Sequence, residues 1–230
     1  MIIADSIIKN KLKNVYFIWG QGKTTIANAL HKKHGFYIYS TDDSRVPHMK
    51  QANPQDQPYM CRNFEKEYGV RDFWELPAEV IGEREKHFVA EMTPMIIADL
   101  IALSSQYDKI ICEGDIDYHA VVPVASHIVH LRNCGKPYDW FDRPDHETLD
   151  GIRRRTDLTE DEKAAIIDNA YRAVSGGGDN TIPDWVSELN IQNIDWSEST
   201  SISETISKVE ECFGLSGGSQ TSTWSPRRTS

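Results

Sequence analysis

A chain of 230 residues, 39% apolar and 26% charged, is long enough for one α/β domain with a buried core and ordinary in composition for a soluble globular protein. Its formal net charge of −10 argues against non-specific nucleic-acid binding, which needs a basic surface, yet allows a local cationic pocket for a small anion. Four scattered cysteines without a CxxC pair read as reduced thiols and not as a zinc site. No apolar run approaches membrane-spanning length and the first residues lack the apolar stretch of a secretory leader, so a cytoplasmic protein with no membrane partner is expected.

Residues 1–14 predict a short amphipathic helix that leads into the fold as an N-terminal extension. The continuous apolar run 14-NVYFIW-19, ended by glycine, predicts a strand buried on both faces. A helix follows at once, with Ile26, Ala27, Ala29 and Leu30 as a core-facing stripe. His31, Lys32, Lys33 and His34 crowd its last turn before a Gly35 cap. A second strand, 36-FYIYS-40, ends in Thr41-Asp42-Asp43. Pro47, Pro54, Pro58 and Pro77 break residues 44–82 into short helices and loops, an insertion within the domain.

A long helix over 83–105 turns Phe88, Met92, Met95, Ile96, Leu100 and Leu103 inward, with Pro94 as a candidate kink. The third strand, 109-KIICEG-114, is apolar until Glu113, and the fourth is 127-HIVHLR-132. Residues 135–182 turn polar and charged, and the capping box 159-TEDE-162 starts a helix through Tyr171. A fifth strand is expected at 191-IQNID-195. The box 201-SISE-204 opens a last helix that stops at Gly214, so the main domain spans 15–214. The Ser/Thr/Gly-rich remainder, 215–230, reads as a disordered tail. Strands alternating with helices predict an α/β protein with a parallel sheet covered on both faces.

Ligands of such sheets gather beyond the carboxyl ends of the strands. That rule selects Gly20–Thr25, Asp42–Asp43, Glu113–Asp117 and Asp195–Ser197. The first group nearly matches the phosphate-binding loop GxxxxGK[ST], but Gln21 alone separates its two glycines and Phe17 stands where the first glycine belongs. Three residues whose amides curl around the inner phosphate are missing. What remains is a strand, a glycine turn, Lys23 for the outer phosphates, Thr24 with a hydroxyl for magnesium, and a helix start whose N–H groups attract anions. Gly20, Gln21, Gly22, Lys23, Thr24 and Thr25 are therefore the candidate nucleotide-binding set; the plainer reading is a polar turn with an N-capping threonine.

Asp42 or Asp43 is placed to orient an acceptor hydroxyl and take its proton, unless the pair only caps the next segment. Glu113 ends its strand in the manner of an acid that supports magnesium, or is an ordinary strand-end charge. Asp115 and Asp117 read as loop solvation. Arg153, Arg154 and Arg155 either close over a transferring phosphate or line an exposed helix face. The same choice holds for Arg45, His48 and Lys50 toward an anionic acceptor. His127 and His130 fall on opposite faces of a strand, and His31 and His34 lack a third ligand, so neither pair marks a metal site. Trp140 and Phe141 read as core or lid packing, and Gly176-Gly177-Gly178 as a hinge.

Together these residues resemble the small P-loop kinases of the nucleoside-monophosphate-kinase-like superfamily, which includes gluconate kinase, chloramphenicol phosphotransferase and zeta toxins. The motifs that carry the resemblance are 22-GKTT-25, 40-STDD-43, 48-HMK-50 and 112-CEG-114, and the shortened loop is the departure from it. The resemblance implies a five-stranded sheet of order 2-3-1-4-5, an acceptor-binding insertion at 44–82 and an arginine-bearing lid within 135–182. It further implies ATP and Mg2+, with Lys23 and Thr24 on phosphate and metal, Glu113 behind the metal, Asp42 or Asp43 at the acceptor, and Arg153 and Arg154 as lid cations. Two functions fit: a kinase for a hydroxyl of a small metabolite, or a nucleotide sensor that has lost catalysis. A GTPase would need a base-reading N/TKxD motif, which the sequence lacks. A monomer or a homodimer is compatible with either.

Overall fold

Five parallel strands run through the centre of the computed structural model, which describes residues 3–134, 147–175, 184–197 and 199–215: β1 (Val15–Gly20), β2 (Tyr37–Ser40), β3 (Ile110–Glu113), β4 (His127–Asn133) and β5 (Gln192–Trp196). Their order in the sheet is β2-β3-β1-β4-β5. The first strand is thus central, with Val15 opposite Ile110 on one side and Tyr16 opposite His127 on the other. Each strand sits within a residue or two of its expected place, because an apolar run ended by a turn leaves little choice of register.

Around the sheet lie α1 (Ile3–Lys11), α2 (Lys23–His34), α3 (Thr41–Gln51), α4 (Pro58–Cys61), α5 (Phe64–Tyr68), α6 (Ala78–Ser104), α7 (Tyr118–Val121), α8 (Glu147–Arg154), α9 (Glu160–Ser175), α10 (Asp184–Glu188) and α11 (Ile202–Cys212). Alternation along β1 sends Val15 and Phe17 to one face, where they meet Phe88, Met92, Ile96 and Leu100 of α6. Ile18 points to the other face, against Ile26, Ala27 and Leu30 of α2 and Val209 of α11. The α1 segment belongs to the first of these cores through Ile8 and the fully buried Leu12 that follows it.

The helix over 83–105 is longer than its stripe suggested. It begins at Ala78, directly after Pro77, because Ile81 continues the inward face one heptad before Phe88 and packs on Phe64 and Leu76. It runs through Pro94, and by length and composition it is apolar enough to span a membrane. Here its apolar stripe is instead buried against the sheet. After β2 the chain winds at once into a helix: Thr41-Asp42-Asp43 form the first turn of α3, and the cap is Ser40, whose hydroxyl accepts from the Asp43 amide at 3.3 Å. The capping box at Thr159 closes in both directions, while at Ser201 only the hydroxyl half forms, accepting from the Glu204 amide, and Glu204 pairs with Lys208 instead. Trp140, Phe141, Gly176–Gly178 and residues 216–230 lie outside the described residues.

One carboxylate ties α11 to α2. Glu210 is buried, and it accepts from Lys33 Nζ at 2.8 Å and bonds His34 Nε2 at 2.6 Å. Burial pushes its carboxyl up, but the bonds and charges of Lys33 and His34 outweigh this and hold it below the ordinary glutamate value. A depressed carboxyl contributes stability above its unfolded pKa of 4.5 and loses that contribution as the pH falls. Glu210→Gln should therefore cost about 1–2 kcal/mol at pH 7. In urea melts followed from pH 7 to pH 3, the gap to the parent protein should close through the acid range; a gap that stays constant would refute the assignment.

Candidate functional site

The chain leaves the central strand and starts α2 within three residues. Gly20 and Gly22 both take left-handed φ, 94° and 84°, a region that costs side-chain-bearing residues about 1–2 kcal/mol. A Cβ on Gly20 would lie 2.1 Å from the Leu131 carbonyl oxygen, and one on Gly22 would meet the Trp196 ring at 3.3 Å. Between them Gln21 is fastened on three sides. Its amide donates to Leu131 O at 3.0 Å, its Oε1 accepts from the Asn133 amide at 3.1 Å, and its carbonyl accepts from Trp196 Nε1 at 3.0 Å. Gln21 was expected to present its amide to a phosphate; instead it fixes the turn to the ends of β4 and β5. A loop three residues short cannot curl into a nest, so its middle residue closes the turn against the neighbouring strands.

The start of α2 remains available. Gly22 caps the helix without a side chain, and the first helical bond is made by Ile26 N to Gly22 O at 3.1 Å. The amides of Lys23, Thr24 and Thr25 thus precede any helical acceptor and carry the positive end of the helix dipole. Thr24 Oγ1 donates to Glu113 Oε2 at 3.0 Å. Glu113 shares the face of β3 that carries Ile111 toward α2, and the residue is only 4% exposed. Burial pushes its carboxyl up, Asp42 and Asp43 add to the rise, and the Thr24 hydroxyl and Lys23 pull it back. A hydroxyl and a carboxylate in contact at a helix start are the hard oxygen donors that magnesium prefers, so the residues fit that ion.

The end of β3 and the start of α3 touch through another glycine. Gly114 adopts φ 119°, and a Cβ there would fall 2.1 Å from Thr41 Oγ1. This close approach helps bring Asp115 and Asp42 to the wall of one cavity of about 580 Å³, which Lys23 and Arg45 also line. The opposite wall comes from Phe73 and Trp74 of a 3-10 turn, from Ile81, Arg84 and Glu85 of α6, and from Ala173 of α9. Asp115 keeps contact with the cavity solvent, yet the protein around it pushes its carboxyl up, opposed by Lys23 and reinforced by Asp42.

The candidates separate accordingly. Lys23, Thr24, Glu113 and Asp42 converge, and so does Asp115, which sequence reasoning assigned to loop solvation. Asp43 is exposed and is not part of the cavity wall. Asp117 caps α7, accepting from the His119 amide at 3.0 Å. Arg153 and Arg154 are exposed on α8 and pair with Asp150 of the same helix at 3.3 and 3.4 Å. Arg155 pairs with Asp72 at 2.9 Å and Asp157 at 2.6 Å. None of the three lines the cavity; among the described residues its cations are Lys23, Arg45 and the unanticipated Arg84. The signal for Arg84 was present, since it sits three residues after Ile81 and four before Phe88, on the inward face of its helix.

Other expected roles fall away. His48 turns into the core and bonds Asp99 Oδ2 at 2.9 Å, and Lys50 is exposed. Asp195 pairs with Arg132 at 2.8 Å, and Ser197 bonds its own turn through Thr200. His127 stacks on Tyr16 and His130 on Trp19, on opposite faces of the sheet. His31 and His34 have separate partners, Phe36 O and Glu210. No group of three or more metal-ligating side chains occurs among the described residues.

A parallel sheet of this order, with a glycine turn and Lys-Thr opening the helix after its central strand, defines the P-loop NTPase-like α/β fold. Among solved structures, dephospho-CoA kinase from Campylobacter jejuni is similar at 12% identity with a TM-score of 0.41, over 87% of this chain and 96% of that one. No protein-family profile and no curated protein matches the sequence.

A carboxyl whose folded pKa is raised contributes stability when protonated and loses it as the pH rises through that pKa. Glu113 therefore weakens the fold at neutral pH. Glu113→Gln should raise the thermal midpoint at pH 7–8, and the gain should vanish below the ordinary value of 4.5. A variant less stable than the parent at pH 8 would show that the ionised carboxylate holds the fold together instead.

Proposed function

We propose that this protein is a magnesium- and ATP-dependent phosphotransferase acting on a hydroxyl of a small metabolite. One observation carries the proposal: Lys23, the first residue of α2, lines the same cavity of about 580 Å³ as the carboxylates Asp42 and Asp115. Phosphate-binding groups and a proton acceptor thus face one chamber, whose volume suits a small substrate.

ATP supplies the phosphoryl group when bound; Thr24 and Glu113 would hold magnesium, which would neutralise part of its charge. Lys23 Nζ and the first amides of α2 stabilise the negative charge that develops on the transferring oxygens. Asp42 or Asp115 accepts a hydrogen bond from the acceptor hydroxyl and aims its oxygen at the γ-phosphorus. The new O–P bond forms as the bond to the bridging β–γ oxygen breaks, and the hydroxyl proton passes to the carboxylate and then to solvent.

A second reading draws on the loop. The Gln21 amide is committed to Leu131 O, and each charge-assisted hydrogen bond withheld from phosphate is worth roughly 1.5–3 kcal/mol. A protein that binds nucleotide weakly and turns over little would act as a sensor.

Thermal shift with Mg–ATP separates the possibilities. The kinase reading expects a rise of roughly 5–10 °C at ligand a hundredfold above Kd, lost in Lys23→Ala, together with ADP release on a panel of hydroxylated metabolites. A Lys23-dependent shift without transfer to any acceptor supports the sensor. If no nucleotide moves the midpoint, both fail.

A further inference from the structure

Resting on the phosphotransferase reading, we infer that the acceptor carries an oxyanion, a carboxylate or a phosphate, which Arg84 and Arg45 receive at the α6 side of the chamber.

Both guanidiniums line the cavity, and both are engaged by the single carboxylate of Glu85. Arg45 reaches its two oxygens at 2.9 and 2.6 Å, and Arg84 donates to Oε1 from its neighbouring position on α6. Two cations thus share one anion, which leaves a net positive charge in a cluster whose side chains are 15–35% exposed. Among the described residues no ion pair within 4 Å joins Asp42 or Asp115 to either guanidinium, although the charge of Arg45 does reach Asp115 across the chamber and lowers its carboxyl. The Arg84 Nε–H is buried and has no protein acceptor. It is the N–H groups on the chamber-facing edges of the two guanidiniums, rather than this enclosed one, that can offer an oxyanion the forked geometry a guanidinium prefers.

Both groups are also held over aromatic rings. Arg45 lies 4.1 Å from the centre of the Phe88 ring and Arg84 4.8 Å from it, with Phe73 4.9 Å from Arg84. Aromatic faces on guanidinium planes fix direction as well as position, as a recognition site requires and a solvated surface charge does not. Phe73 and Trp74 add an apolar wall to the same chamber. The class of acceptor that fits is a compact hydroxy acid or a polyol phosphate. Its hydroxyl meets Asp42 or Asp115, and its oxyanion meets the arginines.

Calorimetric titration with matched probes tests this: glycerol, glycerate and glycerol 3-phosphate, then ribose and ribose 5-phosphate. Each is titrated with and without saturating Mg–AMP-PNP, so that binding of a probe at the α2 start is recognised by its loss. The anionic probes should bind at least tenfold tighter than their neutral partners, and the comparison of glycerate with glycerol 3-phosphate distinguishes carboxylate from phosphate. Arg84→Met, which keeps a stem against Phe73 and Phe88, should weaken the anionic probes about tenfold and leave neutral ones unchanged. Glu85→Gln, which releases the guanidiniums, should tighten them; urea midpoints establish that both variants are folded. The inference is overturned if neutral probes bind as well as anionic ones, if no anionic probe binds, or if Glu85→Gln and Arg84→Met both weaken binding. Failure of Mg–AMP-PNP alone to bind would strike at the phosphotransferase reading and leave the probe comparison to decide the oxyanion site.

Discussion

The site depends on a turn of three residues. β1 is the central strand, and α2 must start immediately after it to cover one face of the sheet. With only Gly20, Gln21 and Gly22 available, the reversal is held from outside, by Leu131 and Asn133 at the end of β4 and Trp196 at the end of β5. Had the loop kept its longer form, its own amides would shape the phosphate site. Here the two strands on one side of β1 set that shape, so the position of Lys23 and Thr24 depends on how the sheet assembles. Thr24 then meets Glu113 on the opposite side of β1, and the candidate site around the α2 start spans most of the sheet's width.

The same assembly places charge where the fold does not favour it. Glu113 ends a strand whose other residues are fully apolar, and only the Thr24 hydroxyl and nearby Lys23 offset its burial. Asp42 and Asp115 approach because Gly114 lets β3 pass against Thr41. A chain selected for stability alone would have no reason to gather three carboxylates around one lysine, since the charge of Asp42 raises the carboxyls of both Glu113 and Asp115. The concentration of this strain at the carboxyl ends of the strands, with an undisturbed core beneath, is the physical mark of a working site.

Much of this was legible in the sequence because the signals are local. Apolar runs located the strands, ended by glycine in β1 and β3, and the GKTT, DD and CEG strings marked the carboxyl ends where the candidate residues gather. What escaped depends on distance along the chain or on a competing local rule. Trp196 reaches Gln21 across 175 residues, a contact that exists only once β4 separates β5 from β1. Asp42 and Asp43 looked equivalent until Ser40 took the cap and wound them into a helix, which sent Asp42 alone toward the cavity. Arg153 and Arg154 were read as a lid because they cluster, but Asp150, one turn earlier, offered them a nearer anion. Arg84 was passed over because charged residues are expected on the outer face of a helix, although its spacing from Ile81 and Phe88 pointed inward.

Among the described residues the arginines of the chamber therefore come from α3 and α6, and α6 is also the principal core helix of one face of the sheet. Phe88 joins the two roles: it is fully buried among Phe17, Met92 and their neighbours, and it carries both guanidiniums on its ring. A lid arginine reaches its substrate by moving, and its geometry is only as good as the closed state. Arginines stacked on a core phenylalanine are oriented before any ligand arrives, so ordering them costs little on binding. The proposed acceptor end of the chamber is thereby tied to the packing of the sheet, as the α2 start is through Gln21, and the two ends are held in register by one hydrophobic structure.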